Sequence, residues 1–377
     1  MLATKKVITL ILTEDCNFSC GYCYLVHKNK ERRMPFEVAR AAIDYVLTHD
    51  DLFWEDEVIW EFMGGESLLE VDLVEQLIDY IRQRTFELDH RWFAGSTFSI
   101  SSNGALYHTP KVQRLVERHR DSLEIMITVD GPEHVHDAER VTAGGKGTYA
   151  QVVANVPLWL RQFPNASTKV TLARKNLPFL AESVLHLFSL GIKTINANVV
   201  FEDVWEPGDD ALFEEQLDRL ADAMLERRLY RDYSCSLFDE TIGRPLDPEV
   251  DDLNWCGAGK MLAIDAAGNF YPCNRFLGFS LTRREARTVG NVAEGLSLNR
   301  VRPFLALTRS TQSDARCVSC EVASGCAWCQ GHNYDSAETP TIYQRATYLC
   351  LMHQARVRAN RRYFARRAEL DGSGPGA

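Results

Sequence analysis

The 377-residue sequence has no apolar run approaching the ~18 residues that cross a bilayer, no internal repeat and no low-complexity tract. Its first apolar stretch, Val7–Leu12, is cut off by Glu14 and Asp15. That is too short for the hydrophobic region of a secretory signal and reads as a first strand. An excess of positive charge is also missing. The formal net charge is −10, which argues against broad binding to nucleic acid or anionic membrane, since both favour a basic surface. These absences imply a soluble, cytoplasmic chain with neither nucleic acid nor membrane as partner. With 45% hydrophobic and 25% charged residues, the composition is that of a globular protein with room for two domains at ~150 residues each.

One further gap divides the chain. No cysteine lies between Cys23 and Cys235, yet there are eleven in all, three near the start and eight towards the end. Without a signal segment, and in a chain too large to need disulfide staples, these are expected to serve as thiols.

Up to about residue 230, β-rich runs alternate with helical periodicity. Candidate strands are Val7–Thr13, Glu57–Phe62, Thr97–Ser102, Glu124–Val129, Lys169–Leu172 and Thr194–Val200. Between them, Val74, Leu77, Ile78 and Ile81 mark one apolar helix face, and Pro178 to Leu190 and Asp210 to Leu225 read as helices, the former stopped by Gly191. Six β–α units imply an α/β fold with a parallel sheet and right-handed crossovers, doubly wound or a partial barrel, with functional residues at the C-terminal ends of the strands. Beyond residue 230 the alternation stops, and short turns, aromatics and cysteines suggest a small domain built around metal. The expected division is residues 1–230, 231–367 with a basic helix over His353–Arg367, and a flexible tail at 368–377.

Cys16, Cys20 and Cys23 form a C-x3-C-x2-C loop directly after the first strand. Three closely spaced thiolates can hold three irons of a [4Fe–4S] cluster and leave the fourth open, whereas a cluster that only transfers electrons usually takes four. A zinc site completed by a distant residue is the alternative. Phe62-Met63-Gly64-Gly65-Glu66 ends the second strand, Ser101-Ser102-Asn103-Gly104 follows the third, and Thr128-Val129-Asp130-Gly131-Pro132 with His136, Asp137 and Arg140 follows the fourth.

Together these elements resemble the radical S-adenosylmethionine (SAM) enzymes, in particular the branch that matures peptides and sulfatases. The resemblance implies a partial (β/α)6 TIM-type barrel. It implies a SAM-binding cluster on Cys16, Cys20 and Cys23, and SAM contacts from Tyr22, Gly64, Gly65, Glu66, Ser102, Asn103, Thr128, Arg140 and Phe201. In that family Gly-Gly-Glu approaches the methionine moiety and pairs with its amino group. By the same likeness Thr128 would meet the ribose, Arg140 the carboxylate, as suits a planar guanidinium, and Tyr22 and Phe201 the adenine. Ser67 stands where relatives often carry Pro.

The later cysteines run Cys256-x11-Gly268-x4-Cys273, then Cys317-x2-Cys320-x5-Cys326-x2-Cys329, then Cys350. This order resembles the SPASM domain, which implies two auxiliary [4Fe–4S] clusters and so three in all. Cys317, Cys320, Cys326 and Cys350 would hold the outer one. Cys256, Cys273 and Cys329 would hold the inner one, with Cys235 a candidate fourth ligand. A lone cysteine is also commonly a buried apolar side chain, and Cys317 to Cys329 alone would pass for a zinc ribbon.

The resemblance implies an oxidoreductase that consumes SAM as co-substrate, makes a 5′-deoxyadenosyl radical and removes hydrogen from an unactivated C–H bond. The cofactors carry that chemistry while the protein positions the target. The expected substrate is a ribosomally made precursor peptide and the product a cross-link. The run from Cys326 through Cys350, Met352, His353 and Asn360 resembles maturases of Cys-x-x-x repeat precursors, which would imply a thioether. Sulfatase maturases carry Asp where this chain has Asn274, and an amide cannot take a proton in the same way. A sulfatase-type protein oxidase, a peptide epimerase and, from another class, a non-catalytic zinc-stabilised scaffold are the alternatives. Expected partners are the peptide, an electron donor such as flavodoxin or ferredoxin, and a separate leader-binding protein, because no winged-helix segment precedes the first strand. Arg356, Arg358, Arg361, Arg362, Arg366 and Arg367 either face an acidic leader or form a solvated helix face. His332 and His353 are expected to be structural.

Overall fold

The computed structural model describes residues 4–247, 249–339 and 341–372. Among these residues the strands in chain order are β1 (Lys5–Thr13), β2 (Glu57–Gly64), β3 (Ser96–Ser102), β4 (Leu123–Ile127), β5 (Ser167–Leu172), β6 (Thr194–Val199), β7 (Ser234–Cys235), β8 (Leu262–Ile264), β9 (Asn269–Tyr271), β10 (Gly290–Asn291) and β11 (Gly295–Leu296). Each of the six strands read from sequence is present, within two residues at either end. The chain divides into two compact units.

The first unit comprises Met1–Ser19, Cys23–Ile127 and Asn254–Leu307. Here β1, β2, β3 and β4 lie side by side in parallel. The register places Leu10 beside Phe62, Phe62 beside Ile100 and Ile100 beside Ile125. Ile8, Leu10, Phe62 and Ile100 are fully buried, as a parallel sheet covered by helices requires. The covering helices are Phe36–Leu47, Val71–Glu87 and Pro110–His119. Val71–Glu87 buries the expected stripe of Val74, Leu77, Ile78 and Ile81.

Residues 254–307 belong to this first unit. β8 pairs in parallel with β1, and β9, β10 and β11 continue antiparallel from it, extending the same sheet to eight strands. A three-residue strand such as Leu262–Ile264 is too short to carry a periodic signal, so this join was not readable from the sequence.

The second unit comprises Cys20–Tyr22, Thr128–Leu253 and Thr308–Ala377. It holds the parallel sheet β5-β6-β7. The fourth strand was expected to run to Val129 but its ladder stops at Ile127. Val129 N–H instead donates to the Thr168 hydroxyl at 3.1 Å. Helix Asp209–Glu226 packs along helix Cys350–Leu370. The last helix is therefore longer than the expected His353–Arg367 and takes in the first three residues assigned to a tail; 373–377 lie outside the described residues. Among the described residues no helix is long and apolar enough to cross a membrane.

Candidate SAM and iron–sulfur site

The loop after β1 is shaped by close packing at the end of β2. A Cβ on Gly64 would lie 2.1 Å from the Thr13 carbonyl oxygen. One on Gly65 would lie 2.2 Å from the Asp15 carbonyl oxygen and 2.9 Å from the Cys16 Cβ. Gly65 N–H donates to the Thr13 carbonyl at 3.0 Å and Glu66 N–H to the Asp15 carbonyl at 2.9 Å. The two glycines thus let one strand end lie against the start of the cysteine loop. Glu14, almost fully buried, accepts from Asn29 N–H and the Arg32 guanidinium, both at 2.8 Å, and ties down the far side of the loop.

Within the first unit the Cys16 sulfur accepts from Phe18 N–H at 3.4 Å and lies 3.9 Å from Asn103 Nδ2, which also donates to Asn17 Oδ1 at 2.7 Å. Donors aimed at a thiolate stabilise its anion and tune a bound cluster. Glu66 is 1% exposed and accepts from Leu68 N–H at 3.0 Å, the Ser102 hydroxyl at 2.8 Å and Asn103 N–H at 2.7 Å. Gly64, Gly65, Glu66, Ser102 and Asn103 are therefore brought together around Cys16.

The second unit gathers Cys20, Tyr22, Thr128 and Arg140. Gly21 N–H donates to the Glu139 carbonyl at 2.9 Å. The Tyr22 hydroxyl donates to Asp130, and Arg140 Nε donates to the same carboxylate oxygen at 2.6 Å. The Arg140 guanidinium lies 5.4 Å from the centre of the Tyr22 ring. Burial raises the Tyr22 hydroxyl far above its ordinary range, against the pull of Arg140. Burial works against the Arg140 charge, but Asp130, Tyr22 and Cys20 outweigh it and raise its pKa.

His136 braces this group. Its Nδ1 accepts from Asp130 N–H at 3.4 Å, which leaves the proton on Nε2, facing the Thr148 hydroxyl at 3.1 Å. Thr148 in turn donates to the Arg140 carbonyl at 2.8 Å. Burial lowers the His136 pKa to about 4, so the ring is neutral. Phe201 lines a cavity of about 100 Å³ with Asn198, Phe213 and Leu237, and its ring centre lies 5.9 Å from that of His332.

The later cysteines separate into groups. Cys317, Cys320, Cys326 and Cys350 line one cavity of about 220 Å³, together with Arg316, Arg345 and apolar Ala323, Ala327 and Leu349. Burial pushes the Cys317 thiol up to about 11 and raises that of Cys326, while Arg345 opposes both shifts. Among the described residues no group of three His, Cys, Asp or Glu is arranged to hold one ion. Four thiols around one cavity are a donor set for an iron–sulfur cluster or for zinc.

Cys329 stands at the start of helix Gln330–Ser336, its sulfur accepting from His332 N–H at 3.5 Å. Cys256 and Cys273 belong to the first unit. Cys235 is placed in β7 opposite Ile195, 4% exposed, its thiol raised by burial to about 11, and it does not line the cysteine-ringed cavity.

Sequence reasoning passed over Tyr24, Glu61 and Asp130 as site residues. Asn274 Nδ2 lies 3.4 Å from both the Tyr24 hydroxyl and the Met63 sulfur, and Arg275 sits 4.7 Å from the centre of the Tyr24 ring. Burial, aided by the Glu61 charge among others, raises the Tyr24 hydroxyl pKa. Glu61 accepts from the Thr9 hydroxyl at 2.7 Å. The available signals were adjacency to Cys23 and Cys273 and the two-residue step along β2 from Glu61 to Met63.

The six C-terminal arginines are engaged within the second unit. Arg358 pairs with Glu214, Arg362 with Glu214 and Asp218, and Arg366 with Asp222. Arg356 donates to the Leu237 and Ser236 carbonyls and Arg361 to that of Gly243. Arg367 lies 3.6 Å from Asp371. His353 is buried, with Nε2 at 2.6 Å from the Val322 carbonyl, and burial lowers its pKa.

Residues 10–176, from within β1 to just beyond β5, match the radical SAM superfamily. That stretch is similar to a radical SAM domain. Such a domain uses SAM and a [4Fe–4S] cluster, and the matched stretch contains the three N-terminal cysteines, Gly64-Gly65-Glu66, Asp130 and Arg140.

An uncharacterised protein of Methanocaldococcus jannaschii is 30% identical to this chain, over 53% of the chain and 64% of its own length. The radical SAM cyclopropyl synthase TigE of Paramaledivibacter caminithermalis is 25% identical, over 41% of this chain and 32% of its own length. This chain thus spans less than two thirds of the length of either. A cysteine-type anaerobic sulfatase-maturating enzyme of Clostridium novyi is 20% identical, over 88% of this chain and 90% of that one. Among solved structures, anSMEcpe with bound AdoMet and Kp18Cys peptide has a TM-score of 0.70 at 16% identity, covering 96% of this chain and 98% of that chain. Streptococcus suis SuiB bound to precursor peptide SuiA has a TM-score of 0.60 at 15% identity, covering 92% and 76%. These likenesses give the fold, a partial TIM-type barrel with a C-terminal extension.

Proposed function

We propose that this radical SAM chain is a maturase that installs an oxidative cross-link, a thioether by preference, in a ribosomally made precursor peptide. The observation that carries this reading is the cavity ringed by Cys317, Cys320, Cys326 and Cys350 in addition to the N-terminal cysteine loop. A chain that only cleaved SAM would need no second cluster site, whereas cross-linking removes a second electron that must be held nearby.

In this reading Cys16, Cys20 and Cys23 hold the SAM-binding cluster. Cys317, Cys320, Cys326 and Cys350 hold an outer auxiliary cluster in a SPASM domain. Cys256, Cys273 and Cys329 hold an inner one, and the burial of Cys235 away from the ringed cavity favours a structural role for it. Held by Cys16, Cys20 and Cys23, the SAM-binding cluster would supply the one-electron chemistry that opens SAM and lets a hydrogen be taken from the peptide. Arg140 offers its fork to the SAM carboxylate, Glu66 its oriented carboxylate to the amino group, and Tyr22 its ring to the adenine. Thr128 would meet the ribose.

The likeness to sulfatase-maturating enzymes keeps a protein oxidase in view. Against it, position 274 is an amide hydrogen-bonded to Tyr24, not a carboxylate. The engagement of the six C-terminal arginines with acids and carbonyls of their own unit favours leader recognition elsewhere. Anaerobic iron and sulfide analysis tests the cofactor reading: three clusters give about twelve irons per chain, while zinc in their place overturns it.

A further inference from the structure

Arg140 is a buried cation whose fork is only partly used. Its side chain is 10% exposed. Nε donates to Asp130, and among the described residues neither Nη1 nor Nη2 has a hydrogen-bond partner. With Nε–H held by one carboxylate, the Nη1/Nη2 edge of the planar guanidinium is the edge that can receive a second carboxylate with two parallel bonds.

The grip is itself over-determined. Asp130 is fully buried. Its Oδ2 takes both Arg140 Nε and the Tyr22 hydroxyl, and its Oδ1 accepts from Thr171 N–H at 3.3 Å. The turn after it leaves no freedom, since a Cβ on Gly131 would lie 2.4 Å from the Ser183 hydroxyl. One carboxylate therefore ties together β5, the end of the β4 connection and the loop segment that carries Cys20 and Tyr22. Removing it would leave the arginine free to turn and the tyrosine without its acceptor.

We propose that Asp130 is a positioning residue that presets the Arg140 fork and the Tyr22 ring as one unit for the carboxylate and adenine of SAM before SAM arrives. This rests on the reading that the chain binds SAM, and it adds a residue that touches neither the cluster nor the co-substrate. Loss of a residue that orients a binding group typically weakens affinity by about 10–100-fold.

The test is SAM affinity of the anaerobically reconstituted holoprotein. Asp130→Asn, which keeps the shape and removes the charge, is expected to raise the dissociation constant for SAM about tenfold or more, with iron content unchanged and the kinetic loss appearing in KM for SAM rather than kcat. Asp130→Glu, which keeps the charge, is expected to fall between the two. Because Asp130 acts in part through Arg140, D130N is expected to cost less SAM affinity in an R140K background than in the wild type. Wild-type affinity in D130N, additive losses in the double variant, or loss of iron from both Asp130 variants would each overturn the proposal. A wild-type protein that fails to bind SAM at all would instead overturn the radical SAM reading on which it stands.

Discussion

Gly65 shows how a residue expected to meet a ligand is first demanded by its own chain. Its backbone lies so near Asp15 and Cys16 that a methyl group cannot enter without moving the cysteine loop. Gly65→Ala is therefore predicted to cost on the order of 3 kcal/mol in stability and to lower iron retention after anaerobic reconstitution, read by thermal melting and iron assay. His136 carries a second prediction. Burial lowers its pKa to about 4 among Asp130, Asp137 and Arg140. Between about 4 and the ordinary 6.5 the unfolded chain then binds more protons than the folded one, so stability falls as pH drops through that window and levels off below it. Denaturation midpoints taken from pH 7 down to pH 4 should show that slope, and His136→Gln should flatten it.

At the scale of elements, strand positions were legible because buried parallel strands are apolar, β-branched and bounded by breakers, as in Val7–Thr13 and Thr194–Val200. Helix Val71–Glu87 was legible from its i, i+3, i+4, i+7 stripe. The basic last helix was legible too, but the partners of its arginines were not, because they lie some 144 positions away in sequence, as Arg358 to Glu214 and Arg366 to Asp222 are. Arg358, Arg362 and Arg366 and their acids Glu214, Asp218 and Asp222 each recur every fourth residue, so the two helices face each other with matched charge. The side chains remain partly exposed, 44% for Arg362, so salt and solvent screen the pairs. Arg362→Ala is predicted to lower stability by about 0.5–1 kcal/mol, less at high salt, and to leave 5′-deoxyadenosine formation unchanged. A loss of SAM cleavage in that variant would contradict the structural role assigned to this ladder.

For the whole molecule, the cysteines gave the clearest sequence signal and the domain plan the weakest. The gap between Cys23 and Cys235 suggested two blocks in series, whereas the compact units interleave: residues 254–307 join the sheet of β1, and Cys20–Tyr22 belong with the unit holding Arg140. The four cysteines that the SPASM resemblance groups line one cavity, reached from one local run plus Cys350. Spacing did not identify Asp130, since Asp-Gly-Pro is equally the chemistry of a turn. The division of labour among the cysteines predicts that Cys317→Ala still forms 5′-deoxyadenosine from SAM but yields only a trace of modified peptide, by chromatography of both products. Equal product from that variant and wild type would refute the auxiliary role.

The central claim, oxidative cross-linking of a peptide, is tested most directly by the mass of a small peptide encoded beside this chain after anaerobic co-expression. The account predicts a loss of two hydrogens per modified site with the wild-type chain and none with Cys20→Ala. An unchanged mass with the wild-type chain, or the same loss with Cys20→Ala, would contradict it.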